Sequence, residues 1–259
     1  MARILVIEDH AVNLALMTYL LKAYQHEVIG AIDGEQGLAL ARESVPDLVL
    51  LDVELPGMSG IDVARALRAD VRTAHVPLLA VTASAMRGDR ERLMSMGFDG
   101  YASKPIDPKT FNGWIEGFLR PAAAPGDAGQ PLLLVVDDVP ANLLLKRSCL
   151  VPLGFRVLTA HRPDEALAMA RYNPPDLILS DVGMPEGGGF DFIQQVKQVP
   201  ALRDVPFIFI TSTHHDSVME QQALALGATR YLMRPLSPEQ LVAEVRACLR
   251  RPPAPAQNG

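Results

Sequence analysis

The chain has 259 residues, 49% of them apolar, and a formal net charge of −6. That length suits two compact domains of about 100–150 residues, each able to bury a core. Residues 1–120 hold 12 Lys/Arg against 16 Asp/Glu and residues 121–259 hold 12 against 14, so neither half carries the basic stripe that nucleic acid or an anionic membrane requires.

The opening MARILVIED enters a strand directly, at residues 3–8. It shows no signal-peptide pattern, and no apolar run approaches the roughly 20 residues of a membrane span, so the expected location is the cytoplasm. Leu14, Met17, Leu20, Leu21 and Tyr24 then space the apolar face of a helix. A second strand is predicted over 27–32, followed by a helix capped by Asp33 and running through Arg42. In the third strand, 47–52, the run LVLL leads into Asp52 without polar alternation, and PGMSG stops it at once, as in a strand covered on both faces. A helix over 59–69, a strand over 76–82, a helix over 86–96 and a strand over 101–103 follow. Phe111, Trp114, Ile115, Phe118 and Leu119 stripe the closing helix, which makes the single Trp a core or interface residue. Five βα units of this length imply a parallel sheet with helices on both faces.

The second half repeats the first. Asp52 and Asp181 are 129 positions apart, and the same offset carries Asp9 to Asp138, Asn13 to Asn142, Pro56 to Pro185 and Thr82 to Thr211. Beyond Thr82 the offset is 130, linking Gly97 to Gly227, Tyr101 to Tyr231 and Pro105 to Pro235. A period this long marks a duplicated domain rather than a solenoid, whose repeats run to about 20–50 residues. The predicted layout is a first domain over 1–120, an extended Pro/Ala/Gly spacer over 121–130, a second domain over 131–251 and a disordered tail over 252–259. Cys149 and Cys248 lie in apolar helical patterns of the second half and are expected to be buried free thiols.

Polar residues collect where strands end. In the first half these are Glu8, Asp9, Asp52, Thr82 and Lys104. Singly, each fits a helix cap, a turn or a solvated acid. Together, and repeated, they describe a site, because open α/β sheets bind ligands at the carboxyl edge where strand order reverses. Three facing carboxylates repel unless a cation sits among them, and an all-oxygen set favours Mg²⁺.

With the acidic pair, the Asp of D-x-x-[LM]-P, the Thr after strand four and the Lys-Pro after strand five in view, the chain resembles two response-regulator receiver domains in tandem. The resemblance implies two flavodoxin-like (βα)5 domains. It makes Asp52 the phosphoacceptor for a phosphoryl group from a histidine kinase or histidine phosphotransfer protein. Glu8, Asp9, Asp52 and the backbone carbonyl of Glu54 would bind Mg²⁺, Thr82 and Lys104 would hold phosphoryl oxygens, and Tyr101 would be the aromatic switch. It also implies a usually cis Lys-Pro bond, a downstream protein target and a possible homodimer, with no catalysis beyond the domain's own phosphorylation and dephosphorylation.

In the second half the matching residues are Asp137, Asp138, the possible phosphoacceptor Asp181 and the Gly183 carbonyl, which by the resemblance would bind a second Mg²⁺, with Thr211 and Tyr231. Arg234 stands in the Lys position, and Arg is not a neutral exchange for Lys in a tight pocket. The loop after Asp181 carries Glu186 and Gly187–Gly189, which predicts a loose loop. His214 and His215 read as surface loop residues. Two further classes remain open: a scaffold or phosphate sink acting without phosphorylation, and an enzyme on a flavodoxin-like fold. The enzyme reading lacks both G-x-x-x-x-G-K-[ST] and a helix-opening G-x-G-x-x-G.

Overall fold

The computed structural model describes residues 1–83, 92–119, 129–185, 188–211 and 217–250. Most of the expected 86–96 helix, most of the spacer, Glu186, Gly187, the two loop histidines and the tail lie outside the described residues. The chain divides into two compact units, Met1–Leu119 and Arg120–Gly259.

The first unit runs β1 (Arg3–Ile7), α1 (Ala11–Ala23), β2 (Glu27–Ala31), α2 (Gly34–Ser44), β3 (Leu48–Asp52), α3 (Gly60–Ala69), β4 (Leu78–Thr82), β5 (Gly100–Ser103) and α4 (Pro108–Phe118). The second runs β6 (Leu132–Val136), α5 (Pro140–Leu150), β7 (Arg156–Ala160), α6 (Pro163–Tyr172), β8 (Leu177–Asp181), α7 (Gly188–Gln198), β9 (Phe207–Thr211), α8 (Ser217–Ala225), β10 (Arg230–Met233) and α9 (Pro238–Leu249). Each unit is a parallel five-stranded sheet, ordered β2-β1-β3-β4-β5 and β7-β6-β8-β9-β10, with helices flanking it. Both are flavodoxin-like. Strand order reverses between β1 and β3 and between β6 and β8, which puts a crevice outside the carboxyl ends of those strands.

The central strands β3, β4 and β9 are buried along their whole length, as their unbroken apolar runs require. Local chemistry starts the helices. Asp33 accepts from the amide of Gln36, Ser59 from that of Asp62 and Asp107 from that of Lys109. Ser237 and Gln240 form a complete capping box on α9. Met17, Leu20 and Leu21 of α1 are buried as the spacing predicts, but Tyr24 is exposed. The helix stops at Ala23 and Gln25 adopts φ 65°, so Tyr24 rotates away from the apolar face. Trp114 is 5% exposed and lies between Phe111 and Phe118, inside the core of the first unit. Cys149 and Cys248 are both free; Cys248 is buried and Cys149 only half-buried. Among the described residues, no helix is long and apolar enough to cross a membrane.

Candidate functional site

In the first unit β1, β3 and β5 bring four charged side chains to one edge. Glu8 follows β1 directly and is fully buried; Asp52 ends β3 and is 3% exposed. Lys104 follows β5 and reaches back, its Nζ lying 2.5 Å from Oδ2 of Asp52 and 2.8 Å from Oε2 of Glu8. Only Oε1 of Glu8 accepts in hydrogen-bonding geometry, from Lys104 at 3.0 Å and from Nδ2 of Asn13 at 2.9 Å. Oε2 is buried with no hydrogen bond. Burial pulls the Lys104 ammonium down, but the hydrogen bonds and charges of Asp52 and Glu8 outweigh it and hold the group above its ordinary range.

Carboxylate oxygens of Glu8, Asp9 and Asp52 all lie within 4.8 Å of one another, Asp9 being the exposed member. An all-oxygen set with one open side, its buried Glu8 oxygens met by a single ammonium, fits a small hard cation that keeps several waters. The Glu54 amide donates to Oδ1 of Asp52 at 3.0 Å, fixing the loop that would present the Glu54 carbonyl. Thr82 ends β4, is 4% exposed, and its carbonyl accepts from the amide of Lys104 at 2.8 Å. Tyr101 lies on β5, part-buried against the core cluster of Leu51, Ala80 and Phe98. The Lys104–Pro105 and Arg234–Pro235 bonds are both cis.

The approach of α3 to β3 depends on Gly60. A Cβ there would run into the carbonyl oxygen of Asp52 and come within 2.7 Å of Cα of Val53. Gly189 does the same for α7 against Asp181 and Phe209. Of the glycines expected in a loose loop, Gly188 and Gly189 instead begin α7, and Gly187 lies outside the described residues.

The second unit keeps the frame and changes its filling. Asp137 is buried at the position of Glu8, and Asp181 is half-buried at that of Asp52. Arg234 reaches both, with one guanidinium nitrogen 2.7 Å from Oδ2 of Asp137 and 3.3 Å from Oδ1 of Asp181. A further cation is present: Lys146 of α5 is 6% exposed, with its Nζ 2.6 Å from Oδ2 of Asp137. Among the described residues, Asp137, Asp138 and Asp181 do not form a cation-sized carboxylate group of the kind found in the first unit. The Gly183 amide donates to Oδ2 of Asp181 at 2.8 Å. Burial pushes the Asp181 carboxyl above the ordinary carboxylate range, the Asp137 charge adding to it against the Gly183 hydrogen bond. For Asp137 burial also pushes upward, but the charge and hydrogen bond of Lys146 carry it below that range. Burial in turn lowers the Lys146 ammonium. Thr211 ends β9, 2% exposed, and Tyr231 meets Phe209 edge-on at 6.2 Å between ring centroids.

The family model of the response regulator receiver domain matches residues 4–116 and again 133–246. The chain belongs to the response-regulator receiver family. It is 30% identical to the response regulator PleD of Caulobacter vibrioides over 277 aligned positions, covering 96% of this chain but 59% of PleD. DivK of Brucella ovis, a polar-differentiation response regulator, is 40% identical over 119 positions, 46% of this chain and 97% of DivK. Among solved structures, the chemotaxis protein CheY4 of Vibrio cholerae is 31% identical, with a TM-score of 0.44, covering 46% of this chain and 99% of that one.

Of the residues expected at the first receiver's site, the structure gathers Glu8, Asp9, Asp52 and Lys104, and it adds the contact of Asn13 to Glu8, for which the residues give only a spacing. In the second receiver sequence reasoning missed Lys146. The signal was present: Lys146 lies on the apolar stripe of Leu143 and Leu150, at the offset of 129 from the buried Met17.

Proposed function

We propose that this chain is a phosphorelay response regulator that accepts a phosphoryl group on Asp52 of its first receiver and signals through protein contacts. The observation that carries this is the Lys104 ammonium spanning Glu8 and Asp52 at the strand-order reversal, with Asp9 alongside. The donor would be a phosphohistidine on a histidine kinase or phosphotransfer protein. An Asp52 oxygen bonds to phosphorus as the P–N bond breaks, and the imidazole leaves with the electron pair and takes up a proton. Glu8, Asp9, Asp52 and the Glu54 carbonyl would hold Mg²⁺, which when bound neutralises charge on the phosphoryl oxygens. Lys104 leaves Asp52 for a phosphoryl oxygen, and the Thr82 hydroxyl takes another. Tyr101 then moves with the strand it sits on, changing the surface offered to a partner.

The second receiver acts chiefly as a docking or dimerisation partner for the first. Arg234 in the Lys position supports this, because it ties Asp137 to Asp181 through a wider head. The test is labelling of the full chain with acetyl phosphate and Mg²⁺, followed by peptide mass spectrometry. The expected result is an adduct on Asp52 that Asp52→Asn abolishes. An undiminished adduct on the first receiver of that variant would remove the assignment.

A further inference from the structure

The two receivers differ at one buried position that none of the family's defining residues includes. Met17 of α1 is 1% exposed in the first unit, and Lys146 of α5, 129 positions on, is 6% exposed with its ammonium on Asp137. We propose that the Lys146 ammonium is a built-in counter-ion that takes the place of a divalent cation, so that the second receiver's acidic site binds no metal. The contrast with the first site rests on the cation assignment made above for Glu8, Asp9 and Asp52.

The lone pairs of the inner carboxylate argue for it. Asp137 Oδ1 accepts from Nδ2 of Asn142 at 2.9 Å and from the Val139 amide at 3.0 Å. Its Oδ2 accepts from Lys146 at 2.6 Å and from Arg234 at 2.7 Å. A carboxylate offers about four acceptor sites, and all are used. Glu8, by contrast, meets two donors, Lys104 and Asn13, its Oε2 being ion-paired at 2.8 Å to the same Lys104 ammonium. Charge gives the same answer. Glu8, Asp9 and Asp52 with Lys104 sum to −2, which one divalent ion neutralises. Asp137, Asp138 and Asp181 with Lys146 and Arg234 sum to −1, which such an ion would overturn to +1 beside a buried ammonium.

The full chain decides this with Mn²⁺ as the probe, read by paramagnetic broadening of backbone amides and by the number of ions bound. Expected is broadening at Asp9, Val53 and Glu54, none at Asp138, Val182 and Gly183, and one ion per chain. Lys146→Met installs the first receiver's residue and is expected to add a second ion and broadening at Gly183. Broadening at Gly183 in the unaltered chain overturns the inference. So does a folded Lys146→Met chain that gains none. If that variant fails to fold by circular dichroism, Lys146→Gln replaces it, and broadening at Gly183 of the unaltered chain remains decisive against the inference. If no broadening occurs at Glu54, the cation reading of the first receiver fails. The second receiver is then judged by whether the variant gains the site.

Discussion

Glu165 shows how one side chain distinguishes the two halves. In the first receiver the side chain of Gln36 accepts from the Ile32 amide at 2.8 Å, and the residue 129 positions on, Glu165, accepts from the His161 amide at the same distance. The contact is a helix-entry hydrogen bond that a neutral amide oxygen makes equally well. Burial is the largest influence on Glu165 and pushes its carboxyl up to about 7, the His161 hydrogen bond pulling the other way. A carboxylate raised in the folded state favours folding below its unfolded value, 4.5, and loses that contribution as pH rises to about 7. The residue is half-buried, so the effect is discounted to roughly 1–2 kcal/mol. Glu165→Gln is expected to gain that much at pH 8 and nothing at pH 3.5, read from urea unfolding midpoints. Equal effects at both pH values would show that the carboxyl does not titrate in this way.

At the scale of elements, the site depends on how closely a helix can approach the end of a strand. Gly60 lets α3 begin against the last residue of β3, and its amide donates to the Val53 carbonyl at 3.1 Å. A methyl at Gly60 meets backbone, which cannot rotate away as a side chain can. Gly60→Ala is expected to cost about 1–3 kcal/mol, by the measure of overpacked cores, and to slow labelling of Asp52. A loss below about 0.5 kcal/mol in urea unfolding, the range of an inert surface change, would show that the approach has slack. The other end of α3 is held independently by Arg68, which donates to the carbonyls of Ala74, Val76 and Gly97 and pairs with Asp99 at 2.6 Å. Lys197 repeats part of this at the end of α7, donating to Arg203 and Val205.

Over the whole molecule the duplication has kept the frame and changed the charged groups at the strand ends. Both receivers retain an aspartate at the end of the third strand of their sheet, yet only the first has a single compact ammonium beside it. Labelling of the full chain with acetyl phosphate is therefore expected to favour Asp52 over Asp181 by roughly 100-fold, the cost typical of disturbing one charge-stabilising contact. Arg234→Lys is expected to narrow that gap, and Arg234→Lys with Lys146→Met to narrow it further. Equal rates at Asp52 and Asp181 in the unaltered chain would make the halves equivalent acceptors. Peptide mapping of both adducts over time measures it.

The fold and the first site were legible in the residues because both depend on local signals. Unbroken apolar runs ending at Pro and Gly define buried parallel strands, and polar residues at their ends mark the sheet's carboxyl edge. The offset, 129 up to Thr82 and 130 beyond it, pairs each element with its copy. Tyr24 escaped that logic because its place depends on where α1 stops, which the turn at Gln25 decides. Lys146 escaped because a lysine on an apolar stripe reads as a solvated head on a buried stem. Only the fold, by turning Lys146 of α5 back onto Asp137 nine residues before it and bringing Arg234 from 97 positions on to the same oxygen, turns that lysine into an internal counter-ion.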